Sequence, residues 1–337
     1  MKRSPSDLRP VSVVPPQRNS KGIALFVLAL LANHRRLKTA ASETEARALL
    51  QDLISMRLDG YSGAAWGYNF DWQSRNFFAP RGSATIVPTA FAARALIEAA
   101  REFHDDEYLS IARSVCDFIL QDLPRPVSND EEICFSYSPA SNTRIFNASL
   151  LAAEVLAEVG TLTQEPELIA HAEKAARYVV NHQRKDGAWV YGTEPAQGWI
   201  DNFHTAFVLY SLKRVIERCS LPAEFQSSLE RGYEYWKQTF FLADGWPKYY
   251  DDGPYPADTH AAASAIVTFI ELAELDRESI KVAENVARWA ITNLRDSRGY
   301  FYYQKRRFYT VKKPYMRWSQ AWMLYGLGRL LEKSDML

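Results

Sequence analysis

Surplus charge is missing from this chain: 40 lysines and arginines face 40 aspartates and glutamates, so the formal net charge is zero. That argues against the overall basic footprint of a nucleic-acid or anionic-lipid binder, so no nucleic-acid partner is expected. Cysteine is scarce. Cys116, Cys134 and Cys219 are odd in number and share no metal-ligand spacing, so they read as reduced thiols of a cytoplasmic protein. No apolar run is long enough to span a bilayer. Residues 22–32 come nearest. They lead into Asn33-His34-Arg35-Arg36, where a signal peptide would need small residues, and so read as a helix of the fold. Low-complexity tracts and domain linkers are lacking after residue 21. Residues 1–21 are basic and rich in Pro and Ser and are expected to form a disordered tail. Residues 22–337 are expected to form one domain, because a chain that is 47% hydrophobic can bury a large core.

What is present is a repeat. A loop rich in Gly, Trp and Tyr enters a small-residue helix at a polar-Ala step five times: Thr89-Ala90, Asn147-Ala148, Thr205-Ala206, Ser264-Ala265 and Gln320-Ala321. The strides between these steps are 58, 58, 59 and 56 residues, by subtraction. A fixed period of that length fits two helices and a loop. Apolar periodicity predicts inner helices near 22–36, 86–103, 144–160, 202–219, 259–275 and 317–333. Amphipathic outer helices are predicted near 43–57, 106–121, 165–184, 222–241 and 277–294. Six inner and five outer helices make an all-α, nearly complete (α/α)6 toroid, whose last hairpin is either truncated or covered by the N-terminal tail. The connections after outer helices are long (58–85, 122–143, 185–201, 242–258 and 295–316) and should gather on one face. Short antiparallel strands are expected in them, as at 187–191 and 299–304.

Three runs carry a resemblance to known proteins: Trp66-Gly67-Tyr68-Asn69-Phe70-Asp71-Trp72-Gln73-Ser74-Arg75, Trp199-Ile200-Asp201-Asn202-Phe203-His204-Thr205, and Tyr255-Pro256-Ala257-Asp258-Thr259-His260-Ala261-Ala262. They resemble a group of bacterial and archaeal α/α-toroid proteins often encoded with extracellular or capsular polysaccharide genes. The opening Asn19-Ser20-Lys21-Gly22 resembles the start of that group. The likeness covers roughly residues 19–330. It implies a six-hairpin glycosidase-like or prenyltransferase-like toroid, and a role in polysaccharide biosynthesis with carbohydrate binding.

Helix N-termini expose free N–H groups and partial positive charge, so polar residues there either cap the helix or face a ligand. Asp201 and Asp258 stand at this point one repeat apart. They are either N-caps or a carboxylate pair suited to acid/base work on a sugar. His204 and His260 lie just inside the same helices and complete the candidate catalytic set, as core residues or as proton carriers. These four lack a closed ligand motif such as HExxH, so no metal and no cofactor are expected. Trp66, Tyr68, Asp71, Trp72 and Arg75 are candidate substrate contacts, since aromatic faces stack on sugar rings and Asp and Arg fix hydroxyls or acidic groups; otherwise the aromatics anchor their loop. Arg144, Asn147, Asn202, Tyr249, Arg317, Trp318 and Gln320 join them by position in the repeat. Arg144 and Arg317 would meet a carboxylate or phosphate, or pair with a neighbouring Asp.

The leading expectation is a carbohydrate-active, glycoside hydrolase-like enzyme: a hydrolase, lyase or epimerase acting on a glycan or a sugar-derived small molecule. One alternative is terpene or prenyl cyclase-like chemistry, against which neither a DxDD nor a DDxxD motif occurs. The other is a non-catalytic glycan-binding protein of a polysaccharide assembly. Fold alone does not choose among them.

Overall fold

The computed structural model describes Ser4, Pro15 and residues 17–74 and 77–334. Inner helices are α1 (Ser20–Leu37), α3 (Ile86–Phe103), α5 (Phe146–Thr163), α7 (Asn202–Arg218), α9 (Thr259–Glu271) and α11 (Ala321–Ser334). Between them in sequence run the outer helices α2 (Ala40–Ser55), α4 (Asp106–Asp117), α6 (Pro166–Asn181), α8 (Ala223–Phe240) and α10 (Ser279–Leu294). Each inner helix packs on the next, and α11 returns to α1, which closes the ring. The toroid is thus complete in its inner wall without a twelfth helix. The first helix begins inside the segment assigned to the tail: Asn19 caps it by accepting from the Gly22 amide at 3.1 Å, and Lys21 is buried. No helix among the described residues is long and apolar enough to cross a membrane.

The repeat has a mechanical cause. In three repeats a loop glycine presses against the backbone of an outer helix. A methyl at Gly63 would stand 1.7 Å from the Ser114 carbonyl oxygen of α4. At Gly245, where φ is +87°, it would stand 2.5 Å from the Asn285 backbone of α10. Only a glycine tolerates both the left-handed backbone and the contact. The polar member of the polar-Ala step then holds the loop. Thr89 bonds both the N–H and the C=O of Trp66. Gln320 does the same for Phe301, at 2.9 and 2.7 Å.

Short antiparallel strands form in the loops: β1 (Trp72–Gln73) pairs with β2 (Phe78–Ala79), and β3 (Val127–Ser128) with β4 (Ile133–Cys134). Residues 187–191 form none, because Trp189 is drawn down to donate its indole N–H to the Val179 carbonyl at the end of α6. Three further strands make one antiparallel sheet: β5 (Ala257–Asp258), β6 (Gln304–Lys305) and β7 (Thr310–Val311), with Asp258 opposite Gln304. They tie the loop before α9 to the loop before α11.

The toroid is not apolar through its depth. Three rings from alternate inner helices, Phe91, Phe207 and Trp322, meet at centroid distances of 5.4 to 5.9 Å and seal the middle. Beyond them, every inner helix contributes to a set of ion pairs. Arg94 grips Glu154 through two hydrogen bonds, at 2.9 and 2.5 Å. Glu158 meets Arg101 and Arg218 at 2.6 and 3.1 Å. Arg329 reaches Glu271 at 2.9 Å, and Arg35 reaches Glu332 at 2.5 Å. Buried charges of this kind persist only when paired. They plug one end of the ring and leave the other end open.

Candidate active site

The open end is a cavity of about 390 Å³, bordered by the N-terminal turns of inner helices and by the long loops. That volume falls within the usual range for small-molecule sites. Each of the five loops delivers at least one tyrosine to it: Tyr68, Tyr137, Tyr191, Tyr249 with Tyr250, and Tyr303. Burial first, and then neighbouring charge or phenol groups, raises the pKa of Tyr137, Tyr191 and Tyr249. These phenols therefore stay protonated and can donate to sugar hydroxyls. Flat faces accompany them, as where Tyr191 stacks on Trp199 at 4.4 Å and 17°.

Asp201 and Asp258 cap α7 and α9, and both also line the cavity. Asp201 is fully engaged. Its Oδ1 accepts from the His204 amide at 3.0 Å. Its Oδ2 accepts from Trp199 Nε1 at 2.9 Å and from His204 Nδ1 at 2.7 Å. A carboxylate accepts, so the Nδ1 of His204 is the donor of that bond. His260 lines the same cavity. Both imidazoles pack on Phe203, at centroid distances of 4.0 and 4.4 Å. Asp258 accepts from the Ala261 amide at 2.7 Å.

Tyr68, Trp72, Asn147, Tyr249, Arg317 and Trp318 reach the cavity as expected from their place in the repeat. The Arg317 guanidinium lies 4.6 to 5.3 Å from the ring centroids of Tyr68, Phe70, Trp72 and Trp318. The Asn147 side-chain oxygen is buried without a hydrogen-bond partner.

Five other candidates do not border it. Trp66 is fully buried and gives its indole N–H to the Leu53 carbonyl at 2.8 Å, the role Trp189 plays two repeats on. Asp71 closes its own loop by accepting from the Arg81 amide at 2.8 Å. Arg144 pairs with Glu194 at 2.8 Å. Asn202 bridges Lys248 and Trp236, and Gln320 is the clamp on Phe301. In each case a local backbone or side-chain partner takes the polar atoms that the position in the repeat suggested for a ligand. Arg75 lies outside the described residues.

Sequence reasoning missed Lys21. It rises from the first turn of α1, and its ammonium nitrogen lies 4.4, 5.1 and 5.5 Å from the centroids of Phe91, Phe207 and Trp322. The available signal was a lone lysine opening an otherwise apolar helix, Lys21-Gly22-Ile23-Ala24-Leu25. Tyr191 and Tyr303 were legible as members of aromatic loop cores, but that they turn inward beside Tyr137 and Tyr250 was not. Among the described residues no group of three or more His, Cys, Asp or Glu is arranged to hold a metal ion.

A ring of six inner helices with a plugged base and a loop-built mouth defines the class: the chain has an (α/α)6 toroid fold. Solved structures that share it include cellobiose 2-epimerase from Bacillus thermoamylovorans B4167, at 14% identity and TM-score 0.72 over 94% of this chain and 88% of that one. A GH76 α-mannanase of Bacteroides thetaiotaomicron matches at 12% identity and TM-score 0.70, over 94% and 87% of the two chains. An unsaturated glucuronyl hydrolase specific for heparin matches at 15% and 0.68, over 94% and 86%. At such identities the likeness is one of fold. No family model and no curated relative matches the sequence.

Proposed function

We propose that the chain is a carbohydrate-active enzyme that moves a proton on a sugar carbon, as an epimerase or isomerase does. The observation that carries this reading is the Asp201–His204 dyad, 2.7 Å apart, in one aromatic-lined cavity with His260. Two-carboxylate glycoside hydrolysis needs carboxyl oxygens turned to the substrate. Both oxygens of Asp201 already accept from Trp199 and His204, so it acts as a positioning residue and His204 as the base.

In the proposed step, Nε2 of His204 takes the proton from a carbon next to the carbonyl of an open-chain sugar. The C–H electrons move into the new C=C bond, and the carbonyl oxygen becomes an enolate held by the loop phenols. His260 returns a proton to the same carbon from another direction, or to the former carbonyl carbon while the hydroxyl proton of the first carbon passes to the enolate oxygen. The first outcome inverts a centre and the second moves the carbonyl. The names of the fold's relatives, which include epimerases, a D-mannose isomerase and glycan hydrolases, agree with a sugar as substrate.

The test is incubation with reducing mono- and disaccharides in heavy water, followed by NMR. Deuterium should enter the carbon next to the carbonyl, together with a new epimer or ketose. His204→Gln should slow exchange about 10²–10⁴-fold while leaving thermal unfolding near wild type. Glycan cleavage without deuterium at that carbon would overturn the proposal in favour of hydrolysis.

A further inference from the structure

Lys21 and Arg317 are two cations facing the cavity, and among the described residues neither forms an ion pair with a carboxylate. Elsewhere within the toroid the rule is the opposite: Arg94, Arg214 and Arg329 each sit against a glutamate. The two cations belong to neighbouring backbone. A methyl built on Gly22, next to Lys21, would stand 4.0 Å from the Cα of Arg317. Both are held by ring faces instead of acids, three for Lys21 and four for Arg317. The cavity's carboxylates, Asp201 and Asp258, belong to the caps of α7 and α9. The cavity is therefore polarised, with cations on the side of α1 and α11 and the carboxylate–imidazole groups on the side of α7 and α9.

We propose that the cavity selects sugars bearing an anionic group, a carboxylate or a phosphate, which Lys21 and Arg317 hold while the rest of the sugar faces His204 and His260. This rests on the reading of the cavity as a sugar site and adds the substrate class to it. The physical reason is that a partly enclosed guanidinium cannot shed its charge and gains most from an anion that meets its fork of donors.

Lys21 can shed its charge, and its surroundings push it to do so. Burial above all, then the charges of Arg317 and Arg94, lower its pKa well below the usual lysine value of 10.5. The three ring faces favour the ammonium. That partly offsets the desolvation of the ion, which costs several kcal/mol. Of the groups next in line, Tyr210 from α7 lies against Arg94, and His260 from α9 packs on Trp322, one of the rings that hold Lys21. An arriving anion favours the ammonium, so binding is linked to protonation of Lys21.

Calorimetry at low ionic strength, in phosphate-free buffers of differing ionisation enthalpy, tests this with D-glucuronate, D-glucose 6-phosphate and D-glucose. The anionic sugars should bind at least tenfold more tightly than glucose, with uptake of up to one proton per site. Comparing glucuronate with the phosphate ester tells which anion the site is built for. Lys21→Met should abolish proton uptake and most of the preference, and Arg317→Gln should abolish the preference. Lys21→Arg should keep the preference and lose the uptake, provided near-ultraviolet circular dichroism shows each variant folded. Equal affinity for glucose and both anionic sugars would overturn the inference and leave the sugar site standing. If none of the three sugars binds, the sugar reading falls and this inference falls with it. A preference that survives both Lys21→Met and Arg317→Gln would place the anion elsewhere and refute the assignment.

Discussion

Glu271→Gln should be among the most damaging conservative changes in this chain. Glu271 is 13% exposed and lies 2.9 Å from Arg329 and 3.6 Å from Arg214. Burial alone would raise its pKa, but Arg214, Arg329 and Arg94 outweigh it and hold the carboxyl at about 2, against an ordinary value of 4.5. A depression of that size corresponds to roughly 3 kcal/mol of stability at neutral pH, at about 1.4 kcal/mol per unit. Removing one partner of a buried pair costs about 3–5 kcal/mol, because the surviving arginines lose compensation. For a chain of 337 residues the unfolding entropy is on the order of 0.7 kcal/mol per degree, so the loss should lower Tm by roughly 4–7 °C. The pH dependence gives the sharper check. A depressed carboxyl stabilises the fold above its unfolded pKa, and that contribution is lost as pH falls toward 2. Glu271→Gln has no such group, so its deficit relative to wild type should shrink by about 1 kcal/mol between pH 6 and pH 3.5. Urea unfolding of both proteins at the two pH values measures this. A deficit under 1 kcal/mol at pH 7, or one that does not change with pH, would refute the account of the ion-paired base.

Trp66→Phe removes the hydrogen bond to Leu53 and should cost about 1–3 kcal/mol in urea unfolding with sugar affinity unchanged; a loss of affinity at wild-type stability would contradict its placement in the core. Trp72→Ala should do the reverse, weakening sugar binding by calorimetry while stability holds. Arg144→Ala breaks only a half-exposed pair with Glu194 and should shift stability by no more than about 1 kcal/mol. All three cysteines are buried free thiols, and burial pushes Cys116 and Cys134 up to about 12 and Cys219 up to about 11. A disulfide reagent at pH 8 should therefore label the native protein far more slowly than a free thiol, and labelling at the free-thiol rate would show that the structure opens there.

The stride of the polar-Ala steps was enough to place the helices. The predicted span 86–103 is the observed α3, and the other inner helices shift by only a few residues. Periodicity is local and survives in one dimension, as do cap chemistry and loop glycines, so Asp201 and Asp258 were recognisable as helix starts. The same local reading failed where identity is ambiguous without a partner. Trp66 and Trp72 are alike in sequence, yet one seals α2 and the other faces the cavity. The difference is which carbonyl lies within reach.

The sequence alone determined the number of hairpins, the closed ring they imply and the face on which the loops gather, because each follows from a repeated pattern of side-chain polarity. Only the tertiary structure decided what fills the ring. Arg94 sits in a run that reads as apolar, Ala90-Phe91-Ala92-Ala93-Arg94-Ala95-Leu96, and its partner Glu154 lies 60 residues away. Lys21 opens a helix that otherwise reads as plain core, and its distinction is the lack of such a partner. Whether a buried charge is neutralised depends on residues distant in sequence, and that separates the ion-paired base of this toroid from its open mouth, where Lys21 and Arg317 meet ring faces instead of acids.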